Sequence, residues 1–238
     1  MIIRIVLVGT EGEVNLGMIA RIAENFCADE LYLVSPQVSM SEEALQYSVK
    51  ASKTLRESIV VDSLEAALKD VDVSFCSTAI KRKDDLLRKT LELNEAIQIL
   101  GKIYPRKAAF VFGRESTGLK REELAQCDYR FTIEACPKYP TLNLANSVAI
   151  TMYEVYHSLV NEDLHERVDG SKYMMQRARL IETLEYLSSQ VFRDKYRVES
   201  SRLLAMKLAD PRYIDDMEIG LLLTLMSRLK GRLERCSQ

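Results

Sequence analysis

No run of eighteen apolar residues occurs among the 238, so no transmembrane helix is expected. No C-x-x-C pair occurs either, and the cysteines (Cys27, Cys76, Cys127, Cys136 and Cys236) are odd in number. That pattern argues against a zinc site and a disulfide framework, and it suits a reducing, cytoplasmic setting. His157 and His165 have no carboxylate-and-cysteine pattern beside them, so no metal is expected. There is no Gly-x-Ser-x-Gly nucleophile elbow. The nucleotide-binding G-x-G-x-x-G turn is also missing, since Gly9-Thr10-Glu11-Gly12 does not supply it. Residues 1–9 begin with an apolar stretch like that of a signal peptide, but Arg4 breaks it and Glu11 and Glu13 follow. A buried strand accounts for them better.

What charge there is falls unevenly. The whole chain is at −2, yet residues 1–165 sum to −5 and residues 166–238 to +3. An acidic total does not exclude a nucleic-acid partner, because a local basic face is enough. The same arginines also read as an ordinary solvated helix surface.

Along the chain, strand-length apolar runs at 2–8, 31–34, 59–61, 71–76, 108–112 and 130–133 alternate with helical spacing at 16–28, 41–56, 63–69, 92–101, 122–127 and 143–160. Ser41 and Ser63 are positioned to open their helices. This alternation predicts an α/β domain over residues 1–160 with a mostly parallel sheet, whose ligand lies beyond the carboxyl ends of the strands. Residues 161–170 read as a polar linker. Residues 171–238 carry helical patterns only (171–190, 199–209 and 215–235), a small all-helical C-terminal domain.

Three polar turns stand out. Asn15-x-Gly17-x-x-x-Arg21 follows the first strand. Gly113-Arg114-Glu115-Ser116-Thr117-Gly118-Leu119 follows the strand at 108–112. Tyr139-Pro140-Thr141-Leu142-Asn143-Leu144-Ala145-Asn146-Ser147 opens the long helix. The second comes close to a P-loop, but Lys120 is one place late and Arg121 stands where a magnesium-binding hydroxyl belongs. Gly113 permits a tight turn and close approach to a ligand. Gly17 in a first helical turn is costly unless something must come close. Each turn also has a plainer reading: Asn15 as an N-cap, Arg21 as a surface residue, and Thr141 or Asn143 as the cap of the long helix.

In order and spacing, these turns resemble the three motifs of the SpoU branch of the SPOUT RNA methyltransferases. The resemblance covers roughly residues 1–160 and is closest to the TrmJ-type tRNA 2′-O-methyltransferases. It implies a deep trefoil knot, which no periodicity could show. It also implies S-adenosylmethionine as cofactor, tRNA as partner, a homodimer with a shared site, and methylation of a ribose in the anticodon loop at nucleotide 32. An rRNA 2′-O-methyltransferase and a non-catalytic RNA-binding homologue are the alternatives. Carried over by position, the catalytic set is Arg21, Asn15, Glu115, Thr141 and Asn143. The cofactor-binding set is Thr78, Ala79, Ile80, Gly113, Ile133, Thr141, Leu142 and Asn143. Thr141 stands where the family has serine, keeping the hydroxyl and adding a methyl. The RNA-binding set is Arg21, Arg82, Arg177, Arg179, Arg193, Lys195 and Arg197, the tail members being placed to touch phosphates. Arg21 stays charged near neutral pH, so holding a phosphate or a developing alkoxide suits it better than abstracting a proton.

Overall fold

The computed structural model describes residues 1–79, 90–161, 171–211 and 213–236. It contains two compact units, Met1–Gly101 with Arg106–Glu166, and Lys102–Pro105 with Arg167–Gln238.

In the first unit the apolar runs become strands β1 (Ile2–Val8), β2 (Glu30–Val34), β3 (Ile59–Val61), β4 (Val73–Ser77), β6 (Lys107–Phe112) and β7 (Tyr129–Thr132). A two-residue strand, β5 (Leu91–Glu92), joins them without a sequence signal of its own. The sheet order is β3-β2-β1-β6-β4-β7-β5, with every pair parallel. A parallel sheet is covered on both faces, which is why its inner strands are apolar at nearly every position. Register explains the packing. Ile5 pairs with Phe110, Phe110 with Phe75, and Phe75 with Tyr129. On that face the Phe75 ring stacks between Phe110 at 5.1 Å and Tyr129 at 5.3 Å. The other face carries Val6, Val111 and Cys76, packed with Leu64, Ala67 and Leu124.

The helices are α1 (Glu13–Asn25), α2 (Glu42–Ser48), α3 (Ser52–Arg56), α4 (Leu64–Leu68), α5 (Leu93–Ile103), α6 (Arg121–Gln126) and α7 (Leu144–Asn161). Ser41 and Ser63 cap α2 and α4 through the backbone N–H groups of Ala44 and Ala66. The helix expected over 41–56 is interrupted by a short 3₁₀ turn at Val49–Ala51. Val49 has φ 52, a left-handed conformation uncommon for a β-branched residue, and periodicity gives no sign of it.

The tail forms α8 (Ser171–Val191), α9 (Lys195–Leu208) and α10 (Asp216–Cys236). α9 starts earlier than its periodicity predicts, because the Asp194 carboxylate accepts from the Tyr196 N–H at 3.0 Å. The Tyr173 hydroxyl donates to the Ala209 carbonyl, and Arg202 reaches Glu185. Gly220 lies beside Gln176, and the Lys230 ammonium sits over the Tyr186 ring. These pairs make an up-down-up bundle, with α8 and α10 parallel and α9 reversed.

The cysteine pattern argues against a disulfide framework, and one pair departs from it. Cys76 in β4 and Cys127 after α6 form a disulfide, with Cα atoms 5.9 Å apart and 51 residues between them in sequence. The pairing joins segments that only the fold makes neighbours, which local cysteine spacing cannot report. Cys27 and Cys136 are free and exposed.

Toward the amino ends of the strands, away from the polar turns, Arg4 in the inner strand β1 is fully buried. Its guanidinium donates to Glu30 at 2.6 Å, to the Ala67 carbonyl at 2.5 Å and to Asp70 at 3.1 Å, and lies 3.9 Å from the Tyr32 ring centroid. Lys107 joins Glu30 and Asp70 at 3.1 and 2.6 Å. Burial by itself lowers the Arg4 pKa, but the hydrogen bonds with Asp70 and Glu30 outweigh it and raise it. Hydrogen bonds from Arg4, then Lys107, hold the Asp70 carboxyl well below the usual carboxylate range. Arg4→Ala would leave Glu30 and Asp70 to Lys107 alone and remove the buried hydrogen bond to the Ala67 carbonyl, costing about 2 kcal/mol in denaturant unfolding. Asp70 has a lowered folded pKa, so its contribution is present above its unfolded pKa of about 3.9 and fades as pH falls further. Asp70→Asn is therefore expected to flatten the loss of stability below about pH 4, measured by urea unfolding against pH.

Candidate active site

Three strand ends deliver the polar turns to one place. The segment after β1 leads into α1, the segment after β6 is the 113–119 turn, and the segment after β7 leads to the cap of α7. The Glu115 carboxylate ties the first two together. It accepts from the Glu11 N–H at 2.9 Å, the Gly12 N–H at 3.1 Å and the Asn15 side-chain amide at 3.0 Å. The Asn15 carbonyl oxygen accepts from the Asn143 amide at 3.1 Å. Asn143 in turn caps α7, accepting from the Ala145 and Asn146 N–H groups. Glu115, Asn15 and Asn143, up to 128 residues apart, thus form one hydrogen-bonded chain. Glu11 returns the contact, accepting from the Ser116 hydroxyl at 2.7 Å and the Ser116 N–H at 3.1 Å.

The 113–119 turn closes on itself through an Arg114–Gly118 bridge. Arg114 forks onto Glu123 at 2.9 and 3.0 Å, and Glu123 also accepts from the Lys120 N–H at the start of α6. The hydrogen bond with Glu123, working against burial, raises the Arg114 pKa. Burial alone would raise Glu123, but the Arg114 hydrogen bond and the Lys120 N–H bring it below its ordinary value. The turn is thereby anchored at both ends.

The glycines have specific neighbours. A Cβ on Gly113 would lie 2.2 Å from the Gly118 carbonyl carbon and 2.3 Å from the Leu119 nitrogen. A Cβ on Gly17 would lie 2.3 Å from the Ala44 carbonyl oxygen. The close approach at Gly17 is therefore by α2, and at Gly113 by the turn's own backbone. Gly118 has φ 68 and open space around it.

A cavity of about 290 Å³ lies beyond β4, β6 and β7. Among its walls are Thr78, Ala79, Gly113, Ile133, Thr141 and Leu142, all in the expected cofactor set. Leu119, Leu124 and Phe112 give it apolar surface, and Glu115 reaches its edge. Asn15 and Asn143 are not among its walls, although Asn143 is in the expected cofactor set; both hold the loops through the hydrogen bonds above. Ile80 and Arg82 fall outside the described residues. Thr141 is exposed and Asn143, not Thr141, caps α7. Arg21 is elsewhere: it is exposed in a groove of about 230 Å³ between α1 and α7, with Met18, Ile22, Asn25, Asn146 and Ala149.

The tail basic residues do not form one cluster. Arg177 is 2 % exposed, which leaves its guanidinium no surface to offer a phosphate and corrects the expectation for that residue. Arg179 is exposed in the first half of α8, whereas Arg193, Lys195 and Arg197 are exposed beyond its far end. About 20 Å of helix separates them. Sequence reading also passed over Glu11, Ser116 and the Arg114–Glu123 fork. A Glu three residues after Lys120, at the start of a helix, was the available signal for the fork. No cluster of metal-ligating side chains occurs among the described residues, and none of their helices is long and apolar enough to cross a membrane.

A parallel α/β sheet with a cavity at its carboxyl ends, walled by interlocked loops of three strands, is the arrangement of an α/β protein that binds a ligand beyond its strand ends. The chain belongs to the SpoU rRNA Methylase family, which it matches over residues 2–153. A tRNA (cytidine-2′-O-)-methyltransferase TrmJ of Sulfolobus acidocaldarius is 40 % identical over 164 residues, 68 % of either chain. The Methanocaldococcus jannaschii protein of the same name is 28 % identical over 97 % of this chain and 99 % of its own length. Among solved structures, a probable methylase family protein of Haemophilus influenzae superposes with TM-score 0.67 at 27 % identity, covering 98 % of each chain. The SpoU methyltransferase AviRb of Streptomyces viridochromogenes, solved with AdoMet, shares the fold at TM-score 0.53 and 17 % identity, over 67 % of this chain and 61 % of its own.

The glycine geometry generates a graded expectation. Gly118→Ala adds only the left-handed penalty of about 1 kcal/mol. Gly17→Ala and Gly113→Ala force a methyl into backbone and should each lose more stability than that. Thermal or denaturant unfolding of the three variants gives the order; equal losses would place the close approaches elsewhere.

Proposed function

We propose that this chain transfers a methyl group from S-adenosylmethionine to a ribose 2′-hydroxyl of tRNA, at nucleotide 32 of the anticodon loop. The observation that carries the reading is the Glu115–Asn15–Asn143 chain, which interlocks the three family motifs beside the cavity. The curated relatives named as tRNA 2′-O-methyltransferases supply the substrate class. The cavity walls suit the cofactor in chemistry: Leu119, Leu124, Ile133 and Leu142 offer apolar surface for a purine, while Ser77 and Thr78 offer hydroxyls. When bound, the cofactor supplies an activated methyl group. The protein's part is to hold that group and the ribose in line, where orientation provides much of the rate. The trefoil knot implied by the family belongs to the same proposal.

Arg21 does not line the cavity of its own chain. A homodimer that brings α1 and α7 of one protomer to the partner's cavity gives it a role. That face is exposed and apolar: Met18 is 37 % exposed, Ile150 38 %, Tyr153 51 % and Tyr156 40 %, with Phe26 against both tyrosine rings. The permanently charged Arg21 then binds ribose or phosphate rather than taking a proton.

Methyl transfer from labelled S-adenosylmethionine to total tRNA, followed by mapping of the modified ribose, tests the reading. Label at one anticodon-loop 2′-oxygen is expected; label confined to rRNA, or none with intact cofactor binding, overturns it. Arg21→Ala should lower methyl transfer at least about a hundredfold while leaving cofactor affinity near wild type, and Arg21→Lys should restore little. Light scattering should give a dimer, and Tyr153→Glu, which buries a charge in the proposed interface, a monomer of low activity.

A further inference from the structure

One end of the three-helix bundle gathers exposed basic residues, and half of them lie outside the family motifs and the expected RNA-binding set. Arg228, Arg232 and Arg235 are exposed on α10. Their spacing puts them on one face, within about 60° of each other and about 10 Å from first to last along the axis. The Arg235 Nε–H donates to the Gly231 carbonyl, and among the described residues none of the three is paired with a carboxylate. A groove beside this face is lined by Arg228, Arg232 and Arg235 with Ser227 and Gly231, and by the exposed Leu225 and Leu229. A Cβ on Gly231 would meet nothing within 4 Å.

The topology then decides what these residues can join. Because α8 and α10 are parallel, with Gly220 beside Gln176 and Lys230 over Tyr186, the last turns of α10 lie at the end where α8 finishes. Arg193, Lys195 and Arg197 occupy the turn at that end, with the Arg197 guanidinium over the Phe192 ring at 5.5 Å. The opposite end mixes signs, holding exposed Lys172 and Lys207 as well as Asp215 and Glu218, which cap α10 reciprocally. Basic residues near helix C-termini also complement the helix dipole, at a few tenths of a kcal/mol each. That explains one such residue in a last turn, not a row of three starting two turns earlier and continued across the neighbouring turn.

The geometry points to one phosphate-binding surface at this end of the bundle, in which Arg228, Arg232 and Arg235 grip the RNA backbone together with Arg193, Lys195 and Arg197. The inference rests on tRNA being the substrate and adds which surface of the C-terminal bundle holds the RNA backbone. Guanidinium forks match phosphate oxygens, and backbone contacts fix register without reading sequence.

The test uses the full-length protein and an unmodified tRNA transcript. Arg228→Gln, Arg232→Gln and Arg235→Gln are combined, beside the corresponding triple lysine variant. Binding is measured by fluorescence anisotropy from about 50 to 200 mM salt, a range over which phosphate contacts weaken steeply. The glutamine variant should bind about tenfold or more weakly, with the slope of log affinity against log salt shallower by about 2. Its KM for tRNA should rise with kcat little changed, and calorimetry with S-adenosylhomocysteine and thermal melting should match wild type. The lysine variant should keep most of the slope. A glutamine variant with wild-type tRNA affinity and slope overturns the surface, and so does one whose melting or cofactor binding falls in step with its tRNA affinity. Absence of tRNA binding by the wild-type protein would instead remove the tRNA reading itself.

Discussion

One carboxylate organises the loops at the carboxyl ends of the strands. Glu115 takes hydrogen bonds from two successive backbone N–H groups and one side-chain amide of the segment after β1, a hundred residues away in sequence. Charge-assisted bonds of this kind are roughly twice as strong as neutral ones. Without the carboxylate, the Glu11 and Gly12 amides and the Asn15 side chain would each need a new partner. The Asn15 carbonyl oxygen is thereby turned toward Asn143, and the cap of α7 is set with it. The cavity's shape is thus a consequence of loop-to-loop bonding more than of the sheet beneath it.

The sheet contributes direction. All seven strands point their carboxyl ends the same way, so the turns after β1, β4, β6 and β7 meet at those ends. The amino ends carry the buried Arg4 with Glu30, Asp70 and Lys107. These charges are satisfied by one another and by the Ala67 carbonyl, a structural role. The fold therefore keeps its compensated charges at the amino ends of the strands and its loop network and cavity at the carboxyl ends.

Strand and helix identity was legible in the sequence because burial on both faces writes continuous apolar runs and the helices between them keep their period. The motif turns were legible because their glycines, Glu115 and the two asparagines recur at recognisable intervals. Other features depend on contacts between distant segments. The break at Val49, the Cys76–Cys127 pairing and the burial of Arg177 have no local signature. Gly17 could be read as a place of close approach, but only the fold shows that α2 is what approaches. Arg228, Arg232 and Arg235 lie in no motif, and their relation to Arg193 needs the direction of α10 relative to α8.

The central claim is that the three motifs act as one unit through Glu115, Asn15 and Asn143. A double-mutant cycle of Asn15→Ala and Asn143→Ala, read as kcat/KM for methyl transfer to tRNA, addresses it most directly. The account predicts strong non-additivity: once either amide is gone the bridge is broken, so the double variant should be little worse than the poorer single one. Losses that simply add, with each single variant fully folded, would contradict it.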